Sequence, residues 1–171
     1  GFSVPTSFVG NGDLTVTQFL QILTNVGQEL CAAYDWQFLH KEYNFVADGV
    51  KTAYDLPTDW NGFVNDTAWN NSTALPVIGP LPPQVWRLLK ARLLGGNTIS
   101  LQYRIVGNQM VFYSAPAAGQ SLWMDYYSRG WLQDATDLTY RDNVQKDSDV
   151  VYFDNRLISA AVKLRWRAID W

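Results

Sequence analysis

The sequence predicts an α+β fold: N- and C-terminal helices and a short middle helix packed with antiparallel β-hairpins. Three observations carry that prediction. Apolar residues recur at helical spacing near both ends and once in the middle. Runs rich in Val, Tyr, Phe and Trp lie between them. Two such stretches are divided by turn-forming pairs, Asp48-Gly49 and Gly107-Asn108.

Residues 1–13 read as an extended arm, because Pro5, Gly10 and Gly12 interrupt any regular period. Its Phe2, Val4, Phe8 and Val9 imply that the arm docks on a surface. A helix is expected from Thr15 to Ala33, with Thr15 and Gln18 as a capping box. Val16, Phe19, Leu20, Leu23, Val26 and Leu30 form its apolar face, and Gly27 permits close packing. "EYNFVA" and "VKTAYDL" are expected to pair as a hairpin around Asp48-Gly49, ended by Pro57. Residues 58–82 read as a long polar-aromatic loop, and a loop of that length usually has a purpose. Its Trp60, Phe63 and Trp69 are expected to pack on a neighbour.

"PPQVWRLLKARLLGG" is a short helix with Pro83 in its first turn, Val85, Trp86, Leu89 and Leu93 on one face, and Gly95 at its end. Its Arg87, Lys90 and Arg92 read as a solvated face. A type II′ turn at Gly107-Asn108 pairs Val106 with Gln109, Ile105 with Met110, Arg104 with Val111 and Tyr103 with Phe112. Tyr103, Ile105, Met110 and Phe112 then share one face, and Arg104, Val106, Gln109 and Val111 the other. "SLWMDYYSRGWL" is a third strand, with Leu122, Met124 and Tyr126 inward and Trp123, Asp125 and Tyr127 outward. The Asp-rich stretch 133–149 reads as loop. A closing helix follows Asp154 as N-cap, with Leu157, Ile158, Ala161, Leu164, Ala168 and Ile169 on one side and Arg156, Lys163, Arg165 and Arg167 on the rest. The final Trp171 carries no stop signal, so either the helix continues or the end docks on a partner.

The 171 residues suffice for a single domain with a real core. At 47% hydrophobic and 17% charged, the chain is no disordered tail. Eight Trp, nine Tyr and eight Phe are more than one such core needs, and interfaces are enriched in rings. A net charge of −3 argues against a dedicated nucleic-acid binder. No apolar run is long enough to span a membrane, and the start does not read as a secretory signal.

Candidate chemistry is sparse. One Cys (Cys31) excludes an internal disulfide, and with one His (His40) it leaves no zinc set. A hydrolase would need His40 as its proton shuttle, but His40 stands in a strand-like run without a nucleophile elbow. Cys31 reads as a small buried hydrophobe. Aspartates fall in turns, where Asp caps backbone N–H groups, and no Gly-rich loop precedes a helix. The expectation is a chain without catalysis, metal or cofactor.

The order of its motifs resembles the head-to-tail adaptor proteins of tailed bacteriophages. Tyr54, Leu56, Pro57 and Asp59 give Y-x-L-P-x-D. Tyr103, Ile105, Gly107, Asn108, Met110, Ser114, Pro116 and the Tyr126-Tyr127 pair give a second block, and "GPLPPQVW" lies between them. The resemblance covers roughly residues 14–170, but not the opening arm or residues 60–80. It implies a structural virion protein of the neck or tail, assembled in the host cytoplasm. Such a protein forms a ring below the portal, usually of twelve copies, extends the DNA channel and gives the next tail protein a platform. Partners would be the portal, neighbouring copies, the next tail component and DNA in passage. Expected portal or subunit contacts are Arg156, Lys163, Arg165, Trp166, Arg167 and Trp171. Expected tail or subunit contacts are Trp60, Phe63, Trp69, Arg104, Val106, Val111, Trp123 and Tyr127. The adjacent subunit or tail protein would cover the second face of the 103–112 hairpin. The competing class is a carbohydrate- or receptor-binding β-rich module of a phage tail, with exposed Trp60, Trp69 and Trp123 stacking on sugars.

Overall fold

A computed structural model of the chain describes residues 5–92 and 100–169, apart from the side chains of Arg92 and Ile169. In chain order it contains α1 (Leu14–Ala33), a 3₁₀ turn (Gln37–Leu39), β1 (His40–Val46), β2 (Ala53–Asp55), β3 (Trp60–Phe63), β4 (Trp69–Asn70) and β5 (Leu75–Pro76). Then come α2 (Pro83–Arg92), β6 (Tyr103–Val106), β7 (Gln109–Phe112), β8 (Ser121–Ser128), β9 (Leu132–Gln133), β10 (Tyr140–Arg141), β11 (Val150–Val151) and α3 (Asn155–Ile169). The fold is α+β, with helices near both ends and a short one in the middle, as the periodicity predicts. The chain divides into two compact units: Gly1–His40 with Ser128–Trp171, and Lys41–Tyr127.

In the first unit α1 packs against α3. The cap of α1 is Asp13 rather than Thr15: its Oδ1 accepts from Thr15 N at 2.8 Å, so the helix starts one residue before the expected Thr15. A carboxylate there accepts an orphan N–H and complements the helix dipole, worth about 1 kcal/mol. The core gathers Ile22, Val26, Trp131, Leu132, Phe153, Ile158 and Val162. Trp131 seats against Gly27, where a Cβ would stand 2.1 Å from the ring, so the close packing expected of Gly27 is realised. Trp36 Nε1 donates to Leu30 O at 2.7 Å, giving a carbonyl at the end of α1 its partner.

The stretch 133–149 is more ordered than a loop. It begins in β9, carries β10 midway and leads into β11, the three strands of the antiparallel sheet β10-β9-β11. Asp side chains tie the turns between: Asp134 Oδ1 accepts from Thr136 N, Asp137 Oδ1 from Thr139 N, and Asp149 Oδ2 from Gln145 N and Lys146 N. Asp134 is fully enclosed and paired with Lys146 and Arg141, and Lys146 with the Thr136 amide holds its carboxyl below the usual range. No apolar period marks such order, because carboxylates supply it. Asp154 caps α3 as expected, accepting from Arg156 N at 2.8 Å. The buried side of α3 differs from expectation. Ile158 and Val162 face the core with Ala161 and Trp166, whereas Leu157 and Leu164 are exposed.

The second unit holds two sheets around Leu56, Val77, Tyr103, Met110, Phe112, Leu122 and Met124. The hairpin β6–β7 has every pair of the expected register. Gly107 has φ +60 and Asn108 is not among the residues with positive φ, the signature of a type II′ turn. The hairpin expected between residues 42–47 and 50–56 does not form. β1 joins β8, while β2 joins β7 in the sheet β2-β7-β6. Asp48 accepts from Val50 N and Lys51 N, and Gly49 takes φ +84, so this turn is a corner between sheets. The turn chemistry was legible; the partner of each strand was not.

Residues 58–82 are likewise no free loop. They carry β3, β4 and β5, in a sheet ordered β1-β8-β4-β5 with β3 also on β8. The strands are two to four residues long, too short to show a period.

Candidate interaction surfaces

The expected contact residues fall into three groups. The first is engaged by the chain's own residues. Trp60 and Phe63 pack on the core of the second unit, Phe63 lying 5.9 Å from the Tyr103 ring. Trp166 packs on the core of the first unit, 6.2 Å from Phe19. Arg165 is engaged with Glu29 at 2.6 Å. Tyr127 is half-buried. The β3 strand draws Trp60 and Phe63 against the core, and Trp166 falls on the core side of α3, so part of each ring is taken up by the chain's own packing and part stays in solvent. Trp171 lies outside the described residues, as do Phe2, Val4, Leu93 and Gly95.

The second group lies under α2. Trp86 is buried, and the Arg104 guanidinium stands 4.9 Å from its ring centroid. Trp86 also meets Tyr113 edge-on at 5.8 Å, and Tyr113 Oη donates to Leu89 O. The chain's own helix thus covers the Arg104 side of the hairpin, for which a neighbouring protein was expected. Arg104 and Val111 are half-buried; Val106, near the turn, stays exposed. Val85, expected inward, is exposed beside Leu88.

The third group is exposed. Trp69 of β4 sits opposite Trp123 of β8, and on its other side opposite Pro76. The two indoles keep 43% and 38% of their surface in solvent. Trp123 Nε1 donates to Ser121 Oγ at 2.8 Å, which fixes that ring. On α3, Arg156, Lys163 and Arg167 recur at helical spacing and are exposed. Beside them runs a second exposed stripe, Leu157, Leu164 and Ala168, with Leu164 72% exposed. Helix α3 carries four cations and no carboxylate, while the chain as a whole is at −3.

One surface carried no expectation. On the outer face of β10-β9-β11, Tyr140 and Val150 flank Gln133. Tyr152 Oη donates to Gln133 Oε1 and meets Tyr140 Oη at 3.2 Å, and Phe38 stacks on Tyr152. Only the sheet assembles these rings, which are scattered from residue 38 to residue 152.

The opening arm docks on its own unit. Asp147 accepts from Ser7 Oγ, Phe8 N and Val9 N, which lowers its pKa, and Phe8 lies 6.0 Å from Phe19. An open hollow of about 180 Å³ beside Phe8 is walled by Leu20, Leu23, Leu132 and Val151. Burial pushes the Cys31 thiol up to about 12, with the Asp142 carboxylate adding to it. His40 begins β1 and is exposed, the strand-end position expected for it. Among the described residues no group of three His, Cys, Asp or Glu side chains could hold a metal ion.

Compared with known proteins, the sequence matches no family model and no characterised protein sequence. No helix of the described residues is long and apolar enough to cross a membrane.

Proposed function

We propose that the chain is a structural, non-catalytic virion protein: a head-to-tail adaptor that binds below a phage portal as a ring, extends the DNA channel and offers a docking platform to the tail. The observation that carries this reading is the outer side of α3. An apolar stripe of Leu157 and Leu164 runs beside a cation stripe of Arg156, Lys163 and Arg167. Among the described residues, no ion pair engages those three cations. A lone surface helix exposes its polar side; apolar surface rimmed by charge is what a protein interface buries. The Trp69–Trp123 pair supplies a second patch on the other unit, and a ring closed by head-to-tail contacts needs two different patches per copy.

The test is to mix the protein with portal rings of its phage and image the product. Rings of added density below the portal are expected. The triple variant Arg156→Glu, Lys163→Glu, Arg167→Glu should abolish them while the protein stays folded, since all three side chains are exposed. A portal that gains no density from the wild-type chain overturns the reading.

The exposed indole pair also favours a second reading, a carbohydrate-binding module, because sugars stack on fixed, solvent-facing rings. Glycan binding lost in Trp69→Ala and Trp123→Ala, without ring formation, would select it.

A further inference from the structure

The second unit carries a cation cluster that no ion pair among the described residues neutralises. Arg87 and Lys90 stand three residues apart on α2, neighbours on the helix surface. Lys90 Nζ lies 5.8 Å, and Arg104 Cζ 4.9 Å, from the centroid of the one Trp86 ring. Arg104 Nε is buried with no hydrogen-bond partner. Among the described residues, the ion pairs engage Lys41, Lys51, Arg129, Arg141, Lys146 and Arg165, and none of them involves Arg87, Lys90 or Arg104. Like charges gathered without a counterion repel one another, and an anion laid across them removes that cost. The ring holds Lys90 and Arg104 in place, which lowers the ordering cost of binding.

We infer that Arg87, Lys90 and Arg104 form a weak, sequence-independent contact site for the phosphate backbone of duplex DNA. Charge complementarity calls for an anion, and the surroundings narrow its class. The exposed apolar residues of α2, Val85 and Leu88, turn to a different flank from Arg87 and Lys90, so the cations lack the apolar company that a protein interface supplies, unlike those on α3. Trp86 is buried beneath them, so it offers no ring for the stacking of unpaired bases. The inference deepens the channel part of the adaptor reading and rests on it for the reason duplex DNA comes near this chain. Three contacts on a chain of net charge −3 make a site that touches DNA without retaining it.

The experiment is a fluorescence-anisotropy titration of a labelled duplex of mixed sequence with the full chain, repeated as salt rises about fourfold from roughly 25 mM. Three phosphate contacts predict a log–log slope of about −2.7, so affinity falls roughly fortyfold over that range. The double variant Arg87→Gln, Lys90→Gln keeps one contact, and its affinity should fall only about three- to fourfold. Thermal unfolding of that variant should match wild type, since both side chains are on the surface. Four results each overturn the inference: no binding by the wild-type chain; an unchanged slope in the double variant; an equal loss of slope in Arg156→Gln, Lys163→Gln, Arg167→Gln; or displacement of the duplex by polyglutamate as readily as by unlabelled duplex. Inorganic phosphate at matched ionic strength should displace no more than chloride does, and stronger displacement would reassign the site to a free anion. Portal imaging is a separate readout. DNA binding without rings would sink the adaptor reading alone, and rings with a flat salt dependence would sink this one alone.

Discussion

Replacing Gly27 by Ala tests the packing of the first unit where two effects oppose each other. In an exposed helix interior the change gains about 1 kcal/mol, because Gly is the poorer helix former. Here a Cβ would meet Trp131 Cε2 at 2.1 Å and Cζ2 at 2.3 Å, where 3.4 Å begins ordinary contact. The indole would have to retreat by more than an ångström from a site in which it has no exposed surface, and its Nε1 donates to Asp142 O at 3.0 Å. Overpacking of that degree costs about 3 kcal/mol. The balance is a loss of about 2 kcal/mol, a fall in Tm of about 4–8 °C for a chain of this size. Urea and thermal unfolding read it directly. Trp131→Phe supplies the check: in that background Gly27→Ala should cost less by about 1–2 kcal/mol, a coupling that only contact between the two positions produces. A Gly27→Ala protein as stable as wild type, or more so, refutes the reasoning.

Met110 is wholly enclosed at the centre of the second unit, so Met110→Ala should cost about 2–5 kcal/mol in the same assays. Cys31, with its thiol pushed up to about 12, should resist alkylation near pH 8 in the native protein and react readily once unfolded. The arm should be sensitive to acid. Because docking lowers the pKa of Asp147, docking is fully present above the ordinary carboxylate pKa of about 3.8 and is lost as pH falls through the depressed value. Hydrogen exchange at the Phe8 and Val9 amides should therefore show protection at neutral pH, and Asp147→Ala should remove it.

The legible and illegible parts of this protein divide along a physical line. Helix α1, the Asp154 cap and the register of the 103–112 hairpin are written locally: a period, a carboxylate before a helix, a Gly that accepts φ +60. The same holds for the inward set Leu122, Met124 and Tyr126. Asp48-Gly49 shows where the chain turns but not that β1 and β2 then leave for different sheets, because strand partners are chosen by distant residues. Trp60, Phe63 and Trp166 look like surplus rings in one dimension, and only a core assembled from separate segments gives each of them a surface to pack against. Trp69 and Trp123 remain outside it. The pairing across β4 and β8, with Ser121 fixing one ring, turns two scattered indoles into one patch.

Composition and spacing by themselves determined the α+β class, the Asp154 cap and the tight turns, since each depends on residues within a few positions of one another. Tertiary structure alone decided which rings are buried, that α2 covers the Arg104 face, and that α3 leaves an apolar stripe beside Arg156, Lys163 and Arg167, which no ion pair among the described residues engages. Burial depends on which segments meet, and that choice is made by the summed packing of the whole chain rather than by any one stretch of it.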